Sequence, residues 1–104
     1  MSLSTHVLDT SAGRPAAGVA VGLYDASGTA LGDGVTDADG RVGRIGPDPL
    51  EPGDYRLEFD TGAYLDGGGF YPRVSIWFTV ADASQHYHVP LLLNPFGYAT
   101  SRGS

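Results

Sequence analysis

Apolar and polar positions alternate along most of this chain with a period of two. At the start, Leu3, Thr5 and Val7 fall on one face and Ser4, His6 and Leu8 on the other, the signature of a half-buried strand. A turn-forming cluster, Thr10-Ser-Ala-Gly-Arg-Pro15, separates it from a second strand that points Val19, Val21 and Leu23 inward,. Asp25-Ala-Ser-Gly28 reads as a hairpin turn, followed by a short strand from about Thr29 to Val35,. Thr36-Asp-Ala-Asp-Gly40 is the next turn, and Arg41 and Val42 leave it as a fourth strand. Tyr55, Leu57 and Phe59 alternate with Arg56 and Glu58, and further strands run from Val74 to Val80, from His86 to Leu93 and from Tyr98 to Ser104.

Two stretches break the period. Residues 43–53 hold three Pro and little pattern, which predicts a loop over the surface,. Asp60 or Thr61 can cap one or two helical turns that end at Gly67-Gly-Gly69,. Eight short strands and one short helix in 104 residues predict a single all-β domain, residues 1–104, built as an eight-stranded two-sheet sandwich,.

Composition narrows the function classes. Arg supplies all six positive side chains against 12 Asp and Glu, a net charge of -6 with no basic patch. Nucleic acid and anionic membrane are therefore not expected as partners. The chain has no Cys, which excludes disulfides and thiolate metal sites,. No apolar stretch reaches 18 residues and no basic-then-apolar leader is present, so the expected location is the cytoplasm,.

The most informative stretch is His86-Tyr-His-Val-Pro-Leu-Leu-Leu93, where two imidazoles lead into the longest apolar run. Parity puts His86, His88, Pro90 and Leu92 on one side and Tyr87, Val89, Leu91 and Leu93 on the other,. Imidazoles beside apolar surface point to a pocket, although a lone His on a partly polar face is also an ordinary surface residue. A zinc reading of His86-x-His88 lacks an accompanying carboxylate motif. Asp37, Asp39 and Gly40 look superficially like a calcium loop, but Val35 and Gly46 stand where ligands are required,. The two Asp read as turn formers. Arg41 after that turn offers a planar fork for amide oxygens or an anion, or is simply solvated. Nucleophile elbow, P-loop and dinucleotide fingerprints are absent.

Three separated motifs resemble the transthyretin-like family, and within it the branch of 5-hydroxyisourate hydrolases. They are Leu3-Ser-Thr-His-Val-Leu-Asp-Thr10 with Gly13 and Pro15, Thr36-Asp-Ala-Asp-Gly-Arg41, and the His86 to Leu93 stretch leading to Arg102-Gly-Ser104. The resemblance implies a transthyretin-like (prealbumin-like) sandwich assembled as a homotetramer, a dimer of dimers, with sites in a channel between dimers. It implies His6, Arg41 and His88 as catalytic residues, His86 being more peripheral. Leu8, Pro90, Ser101, Arg102, Gly103 and Ser104 are implied to shape the substrate site. Ser101 stands where the family motif has Tyr, which removes an aromatic wall, and the segment around Gly67-Gly-Gly69 is a few residues short.

The implied reaction is hydrolysis of a small molecule, 5-hydroxyisourate, to 2-oxo-4-hydroxy-4-carboxy-5-ureidoimidazoline in urate degradation, with no metal and no cofactor. One imidazole would act as general base and Arg41 would bind the substrate and the developing oxyanion. The residues leave open which His takes which role. Two alternatives stand beside it: a non-catalytic small-ligand carrier of the same fold, and a structural prealbumin-like module, which predicts a monomer.

Overall fold

In the computed structural model, which describes residues 3–103, the element order is β1 (Leu3–Asp9), β2 (Arg14–Pro15), β3 (Ala20–Asp25), β4 (Ala30–Val35), β5 (Arg41–Val42), β6 (Gly53–Phe59), α1 (Thr61–Tyr64), β7 (Val74–Val80), β8 (Tyr87–Asn94) and β9 (Gly97–Thr100). All eight strands and the helix expected from the pattern are present. The additional strand is Arg14–Pro15, which reads as turn by composition but pairs with Leu8 and Asp9 of β1. The last strand is shorter than expected, ending at Thr100.

Two sheets face each other. One runs β4-β3-β6-β7 and is antiparallel throughout. The other runs β2-β1-β8-β9, with β5 on the same edge of β1 as β2. Its centre is unusual: β1 and β8, from opposite ends of the chain, pair in parallel. Between the sheets lie Leu3 and Val7 of β1, Tyr87, Val89, Leu91 and Leu93 of β8, Val21 and Leu23 of β3, Leu57 and Phe59 of β6, and Val74 and Ile76 of β7. Each fully buried Leu or Phe contributes about 2–3 kcal/mol by leaving water. Thr5, also buried in this layer, is satisfied by donating to the Val89 carbonyl at 2.6 Å.

The segment between β5 and β6 departs from the surface loop expected of it. Ile45 and Leu50 are each 1% exposed and lie in the core. Aperiodic spacing hid them, because a loop that dips inward twice need not keep a strand or helix period. The helix α1 is capped by Asp60, whose carboxylate accepts from the Ala63 N–H at 3.3 Å.

Asp9 closes β1 and ties it to that helix. Its carboxylate accepts from the Ser11 hydroxyl (2.7 Å), the Ser11 and Ala12 N–H groups (3.1 and 2.9 Å) and the Tyr64 hydroxyl (2.7 Å). Burial alone would raise the carboxyl; these hydrogen bonds outweigh it and hold Asp9 below 3.8,. Its contribution is therefore complete above pH 3.8 and is lost as pH falls from there through the folded value, because the unfolded chain takes up the proton first,. Asp9→Ala leaves four donors without their acceptor and is expected to cost about 2 kcal/mol in urea unfolding at neutral pH,.

Candidate active site

Residues far apart in sequence meet because β1 and β8 lie side by side in parallel. Their register sets Ser4 against His88, His6 against Pro90 and Leu8 against Leu92, while β5 sets Arg41 against His6 from the other edge. Residues of one parity share a face, so the outer face of this sheet carries three rows: Ser4 and His88; Arg41, His6 and Pro90; Leu8 and Leu92,. Side chains directly opposite across a strand pair stand about 5 Å apart at Cβ. The expected residues His6, Arg41, His88, Leu8 and Pro90 thus come together on one face, each turned away from the core.

The turn before Arg41 is built by Asp37. Its carboxylate accepts from the N–H groups of Asp39 and Arg41 at 2.9 and 3.0 Å, and the Arg41 carbonyl accepts from the Asp37 N–H at 3.0 Å. Gly40 takes φ 76°, and a Cβ there would lie 2.4 Å from the Val7 carbonyl oxygen. Only glycine lets this turn press against β1. The approach also holds His6, whose Nε2–H donates to the Asp39 carbonyl at 2.8 Å. A carbonyl can only accept, so a neutral His6 carries its proton on Nε2. The Arg41 guanidinium is exposed and has no carboxylate partner among the described residues. It stands ready for a polar or anionic group.

His88 is half-buried. Burial pushes its imidazole below the usual 6.5, and the Arg41 charge, His6 and His86 push it further in that direction. A ring so placed is neutral at pH 7 and able to accept a proton. Its Nδ1 is 2.7 Å from the Ser4 hydroxyl, and the same hydroxyl is 2.9 Å from Nε2 of His86. His86 itself precedes β8 and is exposed. It is more closely engaged with the site than its sequence position suggested.

The chain after β9 returns to His88. The Gly103 N–H donates to the His88 carbonyl at 2.8 Å, and a Cβ at position 103 would lie 2.6 Å from Cδ2 of the imidazole. Glycine backbone therefore packs directly against the ring, with no room for a side chain. Gly103→Ala is expected to tilt His88 and lower kcat/KM by about 10²-fold while the melting temperature stays within a few degrees, measured by steady-state kinetics and calorimetry.

Arg102 points elsewhere. Its Nη2 donates to Gln85 at 3.0 Å and its guanidinium lies 4.5 Å from the centre of the Tyr87 ring, on the opposite parity from His88. Ser101 is exposed beside it, and Ser104 lies outside the described residues. A cleft of 300 Å³ between Trp77 and Phe78 of β7 and residues 100–102 reaches His88. A larger groove of 610 Å³ crosses the outer face of the other sheet over Tyr24, Arg56 and Glu58. Neither includes His6 or Arg41, so neither cavity holds the group of three. Among the described residues, no group of three or more His, Cys, Asp or Glu is placed to hold a metal ion.

Pattern reasoning missed Ser4 and the Asp39 carbonyl. Ser4 shares its strand face with His6, but only the parallel register reveals that it bridges His86 and His88.

The chain is similar to known proteins in both sequence and fold. A 5-hydroxyisourate hydrolase from Salmonella dublin is 44% identical over 109 residues, spanning 98% of this chain and 80% of that protein. The structure of Klebsiella pneumoniae 5-hydroxyisourate hydrolase superposes with a TM-score of 0.91 at 40% identity, covering all of both chains. Sea bream transthyretin, solved in complex with thyroxine, superposes with a TM-score of 0.90 at 33% identity, covering 99% of this chain and 95% of that one. The model of the HIUase/Transthyretin family matches residues 3–103, so the sheet that carries both imidazoles and Arg41 lies wholly within the matched region and the chain belongs to the HIUase/Transthyretin family.

Proposed function

We propose that this protein hydrolyses 5-hydroxyisourate in urate degradation, and that His6, Arg41 and His88 carry the reaction. The observation behind this reading is their convergence on one sheet face, in a chain whose full length matches hydrolases named for that substrate. The thyroxine-bound neighbour shares the fold, so fold alone supports a carrier equally,. What favours the hydrolase is a neutral imidazole able to take a proton, set beside a guanidinium that faces no carboxylate among the described residues.

In the proposed mechanism Nε2 of His88 removes a proton from water as the water attacks the ring carbonyl. A positioned base of this kind supplies about 10²–10⁴-fold. Nε2 is suited to this role because no described protein group hydrogen-bonds it, yet it is not sealed from solvent. Arg41 holds the planar substrate and stabilises the oxygen that becomes negative. His6, its Nε2–H fixed on the Asp39 carbonyl, orients the attacking water by accepting from it at Nδ1, and the proton taken up by His88 goes to the leaving ring nitrogen,. Leu8 and Pro90 supply apolar floor beside these groups, and Gly103 sets the His88 ring. Ser101 and Arg102 line the cleft that reaches His88.

We also propose a homotetramer, a dimer of dimers, in which a second copy covers this face. Support comes from the open geometry of the site and from Leu92, 41% exposed in the row next to His6. The direct test of the reaction type is ¹³C NMR of 5-hydroxyisourate incubated with the protein. The hydrolase reading expects a new carboxylate from an opened ring, formed faster than without protein. Intact substrate with thyroxine bound at the channel would favour the carrier.

A further inference from the structure

The Ser4 hydroxyl stands between two imidazoles, 2.9 Å from Nε2 of His86 and 2.7 Å from Nδ1 of His88. A hydroxyl carries one hydrogen, so Ser4 cannot donate to both rings. If His86 receives that hydrogen, His88 keeps its own on Nδ1, donates it to Ser4 and presents the Nε2 lone pair. If His88 receives it, Nε2 of His88 carries a proton and cannot act as base. The tautomers of the two rings are thus coupled through one oxygen atom.

Their surroundings differ. His88 is half-buried and faces the positive charge of Arg41 on β5 and the imidazole of His6 on β1, while His86, before β8, is exposed. A proton gained by His88 is therefore poorly placed where it lands and better solvated on His86.

We propose that Ser4 and His86 are positioning residues that form with His88 a proton relay, fixing the Nδ1–H tautomer of His88 and connecting its ring to solvent. This rests on the reading of His88 as the base. As water is deprotonated, its O–H bond breaks, the Nε2–H bond of His88 forms and the hydroxide oxygen joins the carbonyl carbon. The Nδ1 proton then passes to Ser4 Oγ while the original hydrogen of Ser4 passes to Nε2 of His86, which carries the positive charge to the exposed ring. The reverse shift returns a proton to Nδ1 as Nε2–H protonates the leaving ring nitrogen. No atom or charge is gained or lost in the cycle.

The test uses the full chain in its native assembly, with Ser4→Ala, Ser4→Thr and His86→Phe. Long-range ¹H–¹⁵N NMR of the His88 ring is expected to show Nδ1 protonated in the wild type and in Ser4→Thr, and a mixture of tautomers in Ser4→Ala. With 5-hydroxyisourate, Ser4→Ala and His86→Phe are each expected to lower kcat by about 10–100-fold with KM unchanged, as losing the partner of a functional imidazole does elsewhere. The double variant should be no slower than the worse single one, since both act in one chain of hydrogen bonds. Ser4→Thr keeps the hydroxyl and should keep the rate. An unchanged His88 tautomer in Ser4→Ala, whatever its rate, overturns the relay. If His88→Asn turns over as fast as wild type, the assignment of His88 as base falls, and the NMR comparison still decides the relay independently.

Discussion

His88→Asn is expected to lower kcat/KM for 5-hydroxyisourate by about 10²–10⁴-fold, the full contribution of a positioned general base. The loss should lie in kcat, because Asn fills a similar volume and can still bond the Ser4 hydroxyl, yet has no lone pair basic enough to take a proton from water. Stability should hardly change. His88 projects from the outer face of its sheet while its neighbours Tyr87 and Val89 fill the core, so the substitution opens no cavity. A fall in activity that tracks a fall in melting temperature would instead mark His88 as structural. Steady-state kinetics and thermal unfolding on the same preparation separate the two.

Arg41 should show the second-largest effect, and two variants divide its roles. Arg41→Lys keeps the charge but loses the planar fork, so it is expected to lose about 10²–10³-fold in kcat/KM if oriented donors stabilise the oxyanion. Arg41→Gln removes the charge as well. The Arg41 charge is one of the causes that depress the His88 imidazole below 6.5, so removing it favours the protonated ring and raises that value,. The acid limb of the rate profile, where activity falls as His88 gains its proton, should then move to higher pH in Arg41→Gln and stay in place in Arg41→Lys. NMR titration of the His88 ring reads the same shift without reference to turnover.

Much of this was legible in the residues themselves. Strict alternation in β1, β6 and β8 assigned core and outer faces correctly, because a strand buried on one face admits no other parity. The Asp37 turn was legible from its own chemistry, since an Asp at the head of a turn accepts from the backbone N–H two residues on,. Three features were not. Ile45 and Leu50 enter the core from an aperiodic loop, where no pattern marks inward positions. Parallel pairing of β1 with β8 links residues more than 80 apart, as in the Ser4 to His88 contact, and a strand does not encode which distant strand it joins. The direction of Arg102, over Tyr87 instead of toward Arg41, depends on a cation–π contact and a Gln85 bond at the sheet edge that no local motif announces. Resemblance to a family supplied the set of His6, Arg41 and His88; the register explains how those three come to share one face in adjacent rows.

The most direct measurement is the ultraviolet decay of freshly generated 5-hydroxyisourate at neutral pH, followed with and without the protein. A hydrolase with this site predicts decay that accelerates in proportion to protein concentration and returns to the spontaneous rate when His6, Arg41 and His88 are replaced together. A decay constant that the wild-type protein leaves unchanged, or an acceleration that survives the triple replacement, would contradict it.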